Sequence, residues 1–510
     1  MLEIRKLSIK TKNDREIINN LSLNVDNVDK IAIIGEEGNG KSTLLKCIYD
    51  QKLISDYCNI SGEIVKKNIS IGYLEQFLNK KWDDISVQDY FLKDEPNLEI
   101  DYDKYSNINE LYQIFANIKL DTDYITSDKL IKTLSGGEKV KIQIAKLFVK
   151  HPDLLLLDEP TNDLDIESLE WLEEFIIQLK IPVIFVSHDE TLLGNTANTI
   201  LHLEQINNKR EAKYTIEKIG YNEYIEKRLH LISRQEQISK KEHAEYEDKM
   251  RKYKQIYERV HNDQNNISRQ DPASGRLLKK KMKSVKALGK RLEEQELTKK
   301  PYVEEHILVK FHNDEKIHDK KIILDFKLDE LKIDSKILSK NIELLVIGKE
   351  KVCIIGENGV GKTTLIKLIY NELKDREDIK VGYMPQNYED LLDINISPVD
   401  FIKTEFTKEE ETLARTYMGS MKFTSEEMTG KISNLSGGQK AKLFLVKLIL
   451  NKCDVLILDE PTRNLSPLSN PVIRDTLANF NGAIISISHD RKYIDEVCDS
   501  VYKMTTDGLI

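Results

Sequence analysis

Several features that mark other protein classes are missing from this 510-residue sequence. The five cysteines, at positions 47, 58, 353, 453 and 498, form no CxxC pair, which argues for reduced core thiols and against zinc ligands or a disulfide framework. No apolar run approaches the roughly 18 residues that cross a bilayer. The segment Met1–Lys10 is charged and strand-like, so no secretory signal is visible. These absences predict a cytoplasmic globular protein.

A positive net charge, typical of nucleic-acid-binding proteins, is also missing, because the formal charge is −9. The charge is nevertheless uneven: nine Lys or Arg and one acid, Asp271, lie between Arg269 and Arg291. Such a run is a solvated helical face or an arm for nucleic-acid phosphates, and both interpretations stay open at this point. The candidate phosphate contacts are Arg269, Arg276, Lys279, Lys280, Lys281 and Lys283.

The basic run belongs to a segment, Tyr221–Lys300, that is nearly free of glycine and proline. Its first glycine is Gly275 and its one proline is Pro272, among long runs of strong helix formers. The pattern predicts two helices, about 221–260 and about 275–300. Asn, Asp, Pro, Ser and Gly cluster at 261–274 and predict the turn between them.

Two phosphate-binding loops flank this segment. Each follows a short apolar run typical of a buried parallel strand and fits G-x-x-x-x-G-K-[ST], the loop that wraps backbone N–H groups around phosphates at a helix N-terminus. In such a loop the lysine reaches the β and γ phosphates and the hydroxyl residue ligates Mg²⁺. The candidate residues are Gly35, Gly38, Gly40, Lys41, Ser42 and Thr43 in the first loop and Gly356, Gly359, Gly361, Lys362, Thr363 and Thr364 in the second.

Further matched pieces follow each loop: a Gln (Gln76, Gln386), an LSGG motif, an apolar strand ending in Asp-Glu, and a Ser-His-Asp. From the LSGG serine to the histidine, every pair is offset by 301 residues, which identifies an internal duplication. The copies differ earlier, where the first carries 20 extra residues.

The repeated residues suit phosphoryl transfer. The aspartates would hold Mg²⁺, the adjacent glutamates would act as general bases, and the histidines would contact the γ-phosphate. A lone histidine at a strand end is more often structural, but here it recurs 30 residues after each aspartate. The LSGG glycines let backbone approach a phosphate, and its serine offers a hydroxyl. The candidates are Asp158, Glu159, His188, Ser135, Gly136 and Gly137 in the first copy and Asp459, Glu460, His489, Ser436, Gly437 and Gly438 in the second.

This set of motifs resembles the ATP-binding-cassette ATPases. The resemblance covers residues 1 to about 208 and about 303 to 510. It implies an α/β fold with two ATP-binding-cassette nucleotide-binding domains joined by a long α-helical hairpin linker. The expected boundaries are 1–219 (cassette one), 220–302 (linker, tip about 261–274) and 303–510 (cassette two).

The resemblance also implies head-to-tail pairing of the cassettes within a monomer, with ATP and Mg²⁺ as cofactors. Site one would combine the loop, Gln76, Asp158, Glu159 and His188 of cassette one with Ser436–Gly438. Site two would combine the corresponding residues of cassette two with Ser135–Gly137. The implied metal ligands are Ser42, Gln76, Asp158, Thr363, Gln386 and Asp459.

Two cassettes, no membrane domain and a charged helical spacer resemble the ABC-F branch of ribosome-binding ATPases. Residues 220–224 look like the family's entry to the first linker helix, and 269–282 are similar to linkers of antibiotic-resistance members. The resemblance implies binding to the 70S ribosome at the tRNA exit site, linker contacts to 23S rRNA and P-site tRNA, and protection against pleuromutilin, lincosamide and streptogramin A drugs. DNA is not an expected partner.

Three alternatives stay open: a housekeeping ABC-F translation factor, the energising subunit of a membrane transporter, and a DNA-repair ATPase. The last would be expected to carry zinc-binding CxxC pairs, which the sequence lacks.

Two departures from the family pattern stand out. Asn162-Asp-Leu-Asp165 in the first copy becomes Arg463-Asn-Leu-Ser466 in the second, which predicts unequal hydrolysis at the two sites. No aromatic residue is clearly placed upstream of either loop to stack on adenine, so base selectivity stays open.

Overall fold

The structure is a computed structural model that describes residues 2–101, 104, 107–206, 211–266, 272–293, 317–333, 336–403 and 407–510. The chain divides into two compact units. One contains Met1–Tyr221 and Glu305–Ile510, and the other contains Asn222–Glu304. No helix in the described ranges is both long and apolar enough to cross a membrane.

Cassette one is built on a six-stranded sheet whose central strands are fully buried apolar runs, as expected for parallel strands covered on both faces. The strand order is β5-β6-β7-β3-β8-β9, and only the β8–β9 pairing is antiparallel. The strands are β3 (Lys30–Ile34), β5 (Ile71–Leu74), β6 (Leu154–Asp158), β7 (Val183–Val186), β8 (Thr199–Ile206) and β9 (Glu211–Glu217). A second, antiparallel sheet of order β2-β1-β4 contains β1 (Leu2–Thr11), β2 (Glu16–Val25) and β4 (Cys58–Lys66).

Cassette two repeats this topology. Its six-stranded sheet has the order β13-β14-β15-β12-β16-β17, which is the same arrangement strand for strand. The strands are β12 (Lys351–Ile355), β13 (Val381–Met384), β14 (Val455–Asp459), β15 (Ala483–Ile487), β16 (Ser500–Thr505) and β17 (Gly508–Leu509), preceded by the hairpin of β10 (Ile322–Ile333) and β11 (Lys336–Ile347). The predicted α/β fold with two nucleotide-binding domains is confirmed.

Part of the extra sequence in the first copy forms strand β4. It pairs with β1 and widens the antiparallel sheet to three strands, whereas the equivalent hairpin of cassette two has two. In cassette two the chain instead extends the helix after the phosphate loop, which has 12 residues compared with nine in cassette one.

Helices cover the sheets and carry most of the motifs. Cassette one has α1 (Lys41–Tyr49), α2 (Val87–Leu92), α3 (Ile108–Asn117), α4 (Gly136–Phe148), α5 (Ile166–Gln178) and α6 (Glu190–Thr196). The linker has α7 (Tyr221–Asn266) and α8 (Pro272–Glu293). Cassette two has α9 (Lys362–Leu373), α10 (Pro398–Ile402), α11 (Lys408–Ser420), α12 (Ser425–Thr429), α13 (Gly437–Leu450), α14 (Asn470–Ala478) and α15 (Arg491–Val497).

The two linker helices differ in extent from the prediction. Helix α7 continues six residues beyond Val260, and α8 begins at Pro272, so most of the segment predicted as a turn is helical. Asn and Asp each disfavour a helix by less than about 1 kcal/mol, and proline is tolerated in a first turn. The second predicted helix is described only to Glu293, so its last seven predicted residues lie outside the described ranges.

Apolar contacts pair α7 and α8 in antiparallel fashion. Val260, Met282 and Val285 form a buried cluster, against which Tyr253 and Tyr257 pack. At Gly289 a Cβ atom would lie 2.5 Å from the Tyr253 hydroxyl oxygen, so any larger residue would require the Tyr253 side chain to shift. The linker therefore has its own small core.

Candidate active site

Both phosphate loops end in a glycine in the left-handed region, after which a helix begins. Gly40 has φ 86° and Gly361 has φ 105°, and neither α1 nor α9 has a side-chain N-cap, so their first N–H groups face the loop. This is the arrangement that binds phosphate. Lys41 Nζ donates to the Gly35 carbonyl oxygen at 2.8 Å, and Lys362 Nζ to that of Gly356 at 2.7 Å. Both lysines are thus held inside their loops.

Hydroxyl and carboxylate groups meet beside each loop. The Ser42 hydroxyl donates to Asp158 at 2.8 Å, and the Tyr73 hydroxyl donates to the other Asp158 oxygen at 3.2 Å. In cassette two, both carboxylate oxygens of Asp459 are buried and have no hydrogen-bond partner among the described residues within 3.5 Å. Burial raises the pKa of Asp459 to about 6, with the Thr363 hydroxyl acting in the opposite direction.

These oxygen atoms fit Mg²⁺, which prefers oxygen ligands and is usually held by one or two protein groups together with phosphates. The described ranges contain no group of three or more His, Cys, Asp or Glu that could hold a metal ion. Ser42 with Asp158, and Thr363 with Asp459, would therefore hold Mg²⁺ together with ATP.

Glu159 follows strand β6 with φ 50°, a strained backbone conformation often found at functional sites. Its carboxylate lies 2.7 Å from His188 Nε2 and accepts hydrogen bonds from the amides of Gln76 and Asn162, both at 3.2 Å. Burial opposes ionisation, but the attraction and hydrogen bond of His188 outweigh it and lower the pKa of Glu159 to about 2. Gln76 therefore contacts the predicted base and has no hydrogen bond to Asp158.

Glu460 has the same strained backbone, with φ 56°, but a looser environment. Its carboxylate lies 3.7 Å from His489 Nε2 and accepts a hydrogen bond from the His489 backbone N–H at 3.3 Å. Burial, followed by the adjacent Asp459 charge, raises the pKa of Glu460 to about 8. Burial also lowers the pKa of His489 to about 4. The two sites are thus organised differently.

A cavity of about 750 Å³ lies between the cassettes and contains site two. Its walls combine the LSGG segment of cassette one with the phosphate loop and acidic strand of cassette two. The predicted residues that line it are Ser135, Gly136, Gly359, Gly361, Lys362, Thr363, Thr364, Gln386, Asp459, Glu460 and His489, and also His188, which was predicted for site one. Gly137 and Gly356 do not line the cavity. Both are closely packed, because a Cβ on Gly137 would meet the Ser168 hydroxyl and one on Gly356 would meet the Met504 carbonyl. The structure therefore brings together most of the residues expected for site two.

Site one is joined across the cassettes by two acids inside the first phosphate loop. Glu36 accepts hydrogen bonds from Lys422 and Lys442, each at 3.0 Å, and from the Ser469 hydroxyl at 2.8 Å. Burial opposes ionisation of Glu36, but the two ammonium groups hold its pKa well below the usual range. Lys442 also donates to Glu37 at 2.8 Å. These partners come from cassette two, and the sequence prediction did not include them.

The loop sequence contained a signal for this contact. Two consecutive carboxylates in a loop that binds anions require nearby positive charge, and the second copy has only one acid followed by Asn358. The LSGG segment of cassette two approaches the same place, because a Cβ on Gly438 would lie 2.6 Å from Glu37 Cγ. Ser436 and Gly437 precede Gly438 at the start of α13.

The two segments that differ at Asp165 and Ser466 each lie at the phosphate loop of the other cassette. The Ser466 backbone N–H donates to Glu37 at 2.6 Å, so Ser466 belongs to site one. In site two, the Asn358 side-chain amide donates to the Asp163 carbonyl oxygen at 2.6 Å, which places the segment containing Asp165 there. In site one, therefore, cassette two contributes Ser466 where cassette one has an acid, and the opposing phosphate loop carries the acid Glu37. Site two has the reverse combination, Asn358 with Asp165.

The LSGG serines cap helices. Ser135 accepts from the Glu138 N–H, and Ser436 accepts from the Gln439 N–H, each within a capping box. A hydroxyl that accepts one bond still has its proton to donate, so the predicted contact with a γ-phosphate remains available.

Beside the phosphate loops, where an aromatic residue could stack on adenine, the structure has aliphatic side chains. Ile17 contacts the Gly40 position, and Leu331 and Leu338 surround Gly361. Ile333 and Leu338 also line the cavity of site two. These residues provide apolar surface for a base. Thr43 is on the first turn of α1, where its hydroxyl interacts with Tyr57.

Comparison with known proteins shows similarity in both cassettes. The family model described as "ABC transporter" matches residues 18–162 and 339–463, which is more than half of the chain. The chain is 31% identical to the ATP-binding protein Uup of Buchnera aphidicola over 98% of its own length and 80% of that protein. It is 26% identical to ABC transporter F family member 2 of Arabidopsis thaliana, covering 97% of the chain and 75% of that protein. The chain belongs to the ABC-F family. It binds ATP with Mg²⁺ and is an ATPase.

Two further proteins that resemble the chain have names that refer to the ribosome. The ABC-F chain is 29% identical to the ribosome protection protein VmlR of Bacillus subtilis, over 97% of the chain and 85% of that protein. A crystal structure of an archaeal ribosome recycling factor, aABCE1, has a TM-score of 0.59 at 17% identity and covers 98% of the chain and 89% of that structure's chain. At this identity the structural likeness shows the fold alone.

The unequal geometry of the two sites leads to a first prediction. We expect Glu159→Gln and Glu460→Gln, made separately, to reduce ATPase activity of the ABC-F protein to different extents. The reason is that Glu159 is held by three side chains, whereas Glu460 is 3.7 Å from its histidine. Steady-state phosphate release by the two purified variants measures the difference. Equal losses would show that the asymmetry has no effect on turnover.

A double substitution tests whether the positions of the acids Glu37 and Asp165 cause the difference between the two sites in ATPase activity. Glu37→Asn combined with Ser466→Asp gives site one the acid arrangement of site two. We expect the effects of the two single base substitutions to become more similar in this background.

Proposed function

We propose that this ABC-F protein is an ATP-dependent ribosome-binding factor that enters the tRNA exit site and protects the ribosome from antibiotics of the peptidyl-transferase centre. The observation that carries the proposal is the linker. It is a separate helical unit with its own core and a dense basic face, which a cassette pair does not need for ATP hydrolysis. A ribosomal partner would also place the protein in the cytoplasm.

The basic face is available for phosphates. On α8, Met282, Val285 and Leu292 are buried, whereas the lysines of the same helix are exposed. Among the candidate contacts, Arg276, Lys279, Lys280, Lys281 and Lys283 are exposed, and none forms an ion pair with the described residues. Arg269 lies outside the described residues. Exposed cations without partners contribute salt-dependent, sequence-independent affinity for a nucleic-acid backbone.

The similarity to VmlR, named a ribosome protection protein, supports the antibiotic role. The alternative is a housekeeping ABC-F translation factor, supported by a slightly higher identity to Uup over a similar share of the chain. The contacts of the linker with 23S rRNA and P-site tRNA are part of the proposal in either case.

The linker charges provide the test. Changing Lys279, Lys280, Lys281 and Lys283 to Gln is expected to weaken co-sedimentation with 70S ribosomes. It should also flatten the dependence on salt, because each lost phosphate contact lowers the logarithmic slope by roughly 0.7–0.9. ATPase activity without ribosomes should be unchanged, since these lysines lie in the linker.

A matched control removes the same charge elsewhere. Lys52, Lys67, Lys327 and Lys374 are exposed on the cassettes, and changing them to Gln should leave ribosome binding nearly unaltered. Equal effects of the two quadruple variants would mean that only net charge matters and that the linker is not the binding arm.

Drug tolerance decides between the two functions. A susceptible bacterium expressing the intact protein should show a higher minimum inhibitory concentration of a pleuromutilin or lincosamide, and the linker variant should lose this gain. Ribosome binding without any gain in tolerance would favour the housekeeping alternative.

A further inference from the structure

The cassettes meet at a second ionic contact beside the ATP sites. Glu173 on α5 and Glu190 on α6 belong to cassette one, and Arg474 on α14 and Arg491 on α15 belong to cassette two. Arg474 donates to Glu190 at 2.6 Å, and Arg491 forms an ion pair with Glu173. Arg474 and Glu190 are 3% and 5% exposed, so this pair is almost completely removed from water.

The four residues occupy equivalent positions of the duplication. The 301-residue offset that relates the two copies takes Glu173 to Arg474 and Glu190 to Arg491. Each ion pair therefore joins one of these positions in cassette one to the other position in cassette two. The geometry is that of a twofold interface, with contacts between α6 and α14 and between α5 and α15 related to each other.

Charge breaks this symmetry. Both positions are acidic in cassette one and basic in cassette two. If two copies of cassette one met in the same way, each contact would oppose two glutamates, and two copies of cassette two would oppose two arginines. A buried charge that loses its partner is strongly unfavourable, and like charges placed together suppress incorrect pairing.

We propose that positions 173, 190, 474 and 491 form a charge code that makes cassette one pair with cassette two and prevents pairing of like cassettes from different chains. None of the four residues lines the cavity of site two. Their role is to select the partner surface, since each cassette carries both a phosphate loop and an LSGG segment and these motifs alone do not select an unlike partner.

Neighbouring residues also differ between the cassettes. Lys492 Nζ lies 3.0 Å from Glu190, and Glu496 accepts a hydrogen bond from Arg474 Nε at 2.6 Å. Both neighbours are on α15 of cassette two. The residues at the equivalent positions of cassette one are Thr191 and Asn195. Asp189 and Asp490 are acidic in both copies and do not distinguish the cassettes.

The experiment exchanges the two sets in the full chain. One half-swap gives cassette two the residues of cassette one: Arg474→Glu, Arg491→Glu, Lys492→Thr and Glu496→Asn. The other gives cassette one the residues of cassette two: Glu173→Arg, Glu190→Arg, Thr191→Lys and Asn195→Glu. We expect each half-swap to lose about tenfold or more of its ATPase activity, because like charges costing several kcal/mol oppose closure and each 1.4 kcal/mol is tenfold.

The full swap combines all eight substitutions and restores unlike charges across the interface. It should recover ATPase activity, and an equimolar mixture of the two half-swaps should recover activity that increases with protein concentration. Circular dichroism identifies a variant that fails to fold. A full swap that is no more active and no better folded than the half-swaps would overturn the proposal, as would half-swaps with undiminished activity.

Discussion

A Glu159→Gln, Glu460→Gln double variant is expected to bind ATP with unchanged affinity and to lose at least about 10²–10⁴-fold of its hydrolysis rate. Loss of a general base commonly has an effect of this size. Both glutamates directly follow strands whose last aspartate lies beside the phosphate loop. The substitution keeps the shape of each side chain, so the surrounding hydrogen bonds can largely persist, and the carboxyl group is replaced by an amide, which is too weak a base to accept the proton.

Two measurements check this expectation together. Equilibrium binding of a fluorescent ATP analogue reports the nucleotide sites, and phosphate release reports turnover. Glu170→Gln is a suitable comparison, because Glu170 is exposed on α5 and is not among the residues of either site. Near wild-type turnover in the double variant would rule out the two glutamates as the bases.

Lys442→Met is expected to destabilise the protein by about 3–5 kcal/mol, because it leaves two buried carboxylates without their shared partner. Lys442 is 4% exposed and lies within 3.0 Å of both Glu36 and Glu37. Its pKa is raised by these two carboxylates, against burial, so the lysine is charged in the folded protein. Lys422 and Ser469 would still contact Glu36, whereas among the described residues Glu37 would keep only the Ser466 N–H.

The duplication supplies the control. Lys141 is the equivalent residue in cassette one, where it lies 4.8 Å from the centre of the Trp171 ring and has no ion pair with the described residues. Lys141→Met should therefore cost about 1 kcal/mol or less. Urea unfolding followed by fluorescence compares the two variants. Adding Glu36→Gln and Glu37→Gln to Lys442→Met should restore part of the lost stability. Equal midpoints for the two lysine variants would show that the ionic cluster does not hold the cassettes together.

Features that depend on local sequence could be predicted. The apolar runs at residues 30–34 and 154–158 are buried parallel strands because a short segment without polar side chains has no other favourable place than the centre of a covered sheet. The phosphate loops and the acidic strand ends depend on spacing within a few residues, and the constant 301-residue offset made the duplication visible. The sequence did not predict that α7 ends at Asn266 and that α8 begins at Pro272. The helix propensities of the residues there differ only slightly, and these differences are smaller than the contribution of the packing around Val260.

Contacts between the cassettes were decided only by the tertiary structure. Glu37 and Ser466 are more than 400 residues apart, and their contact depends on how one cassette is rotated against the other, which no local pattern records. For the same reason the sequence did not show which of the two sites contains Asp165 and which contains Ser466. The acids and bases at positions 173, 190, 474 and 491 are ordinary surface charges when the sequence is read along the chain. They become buried partners only because folding places α5 and α6 against α14 and α15, where low exposure makes each unpaired charge unfavourable.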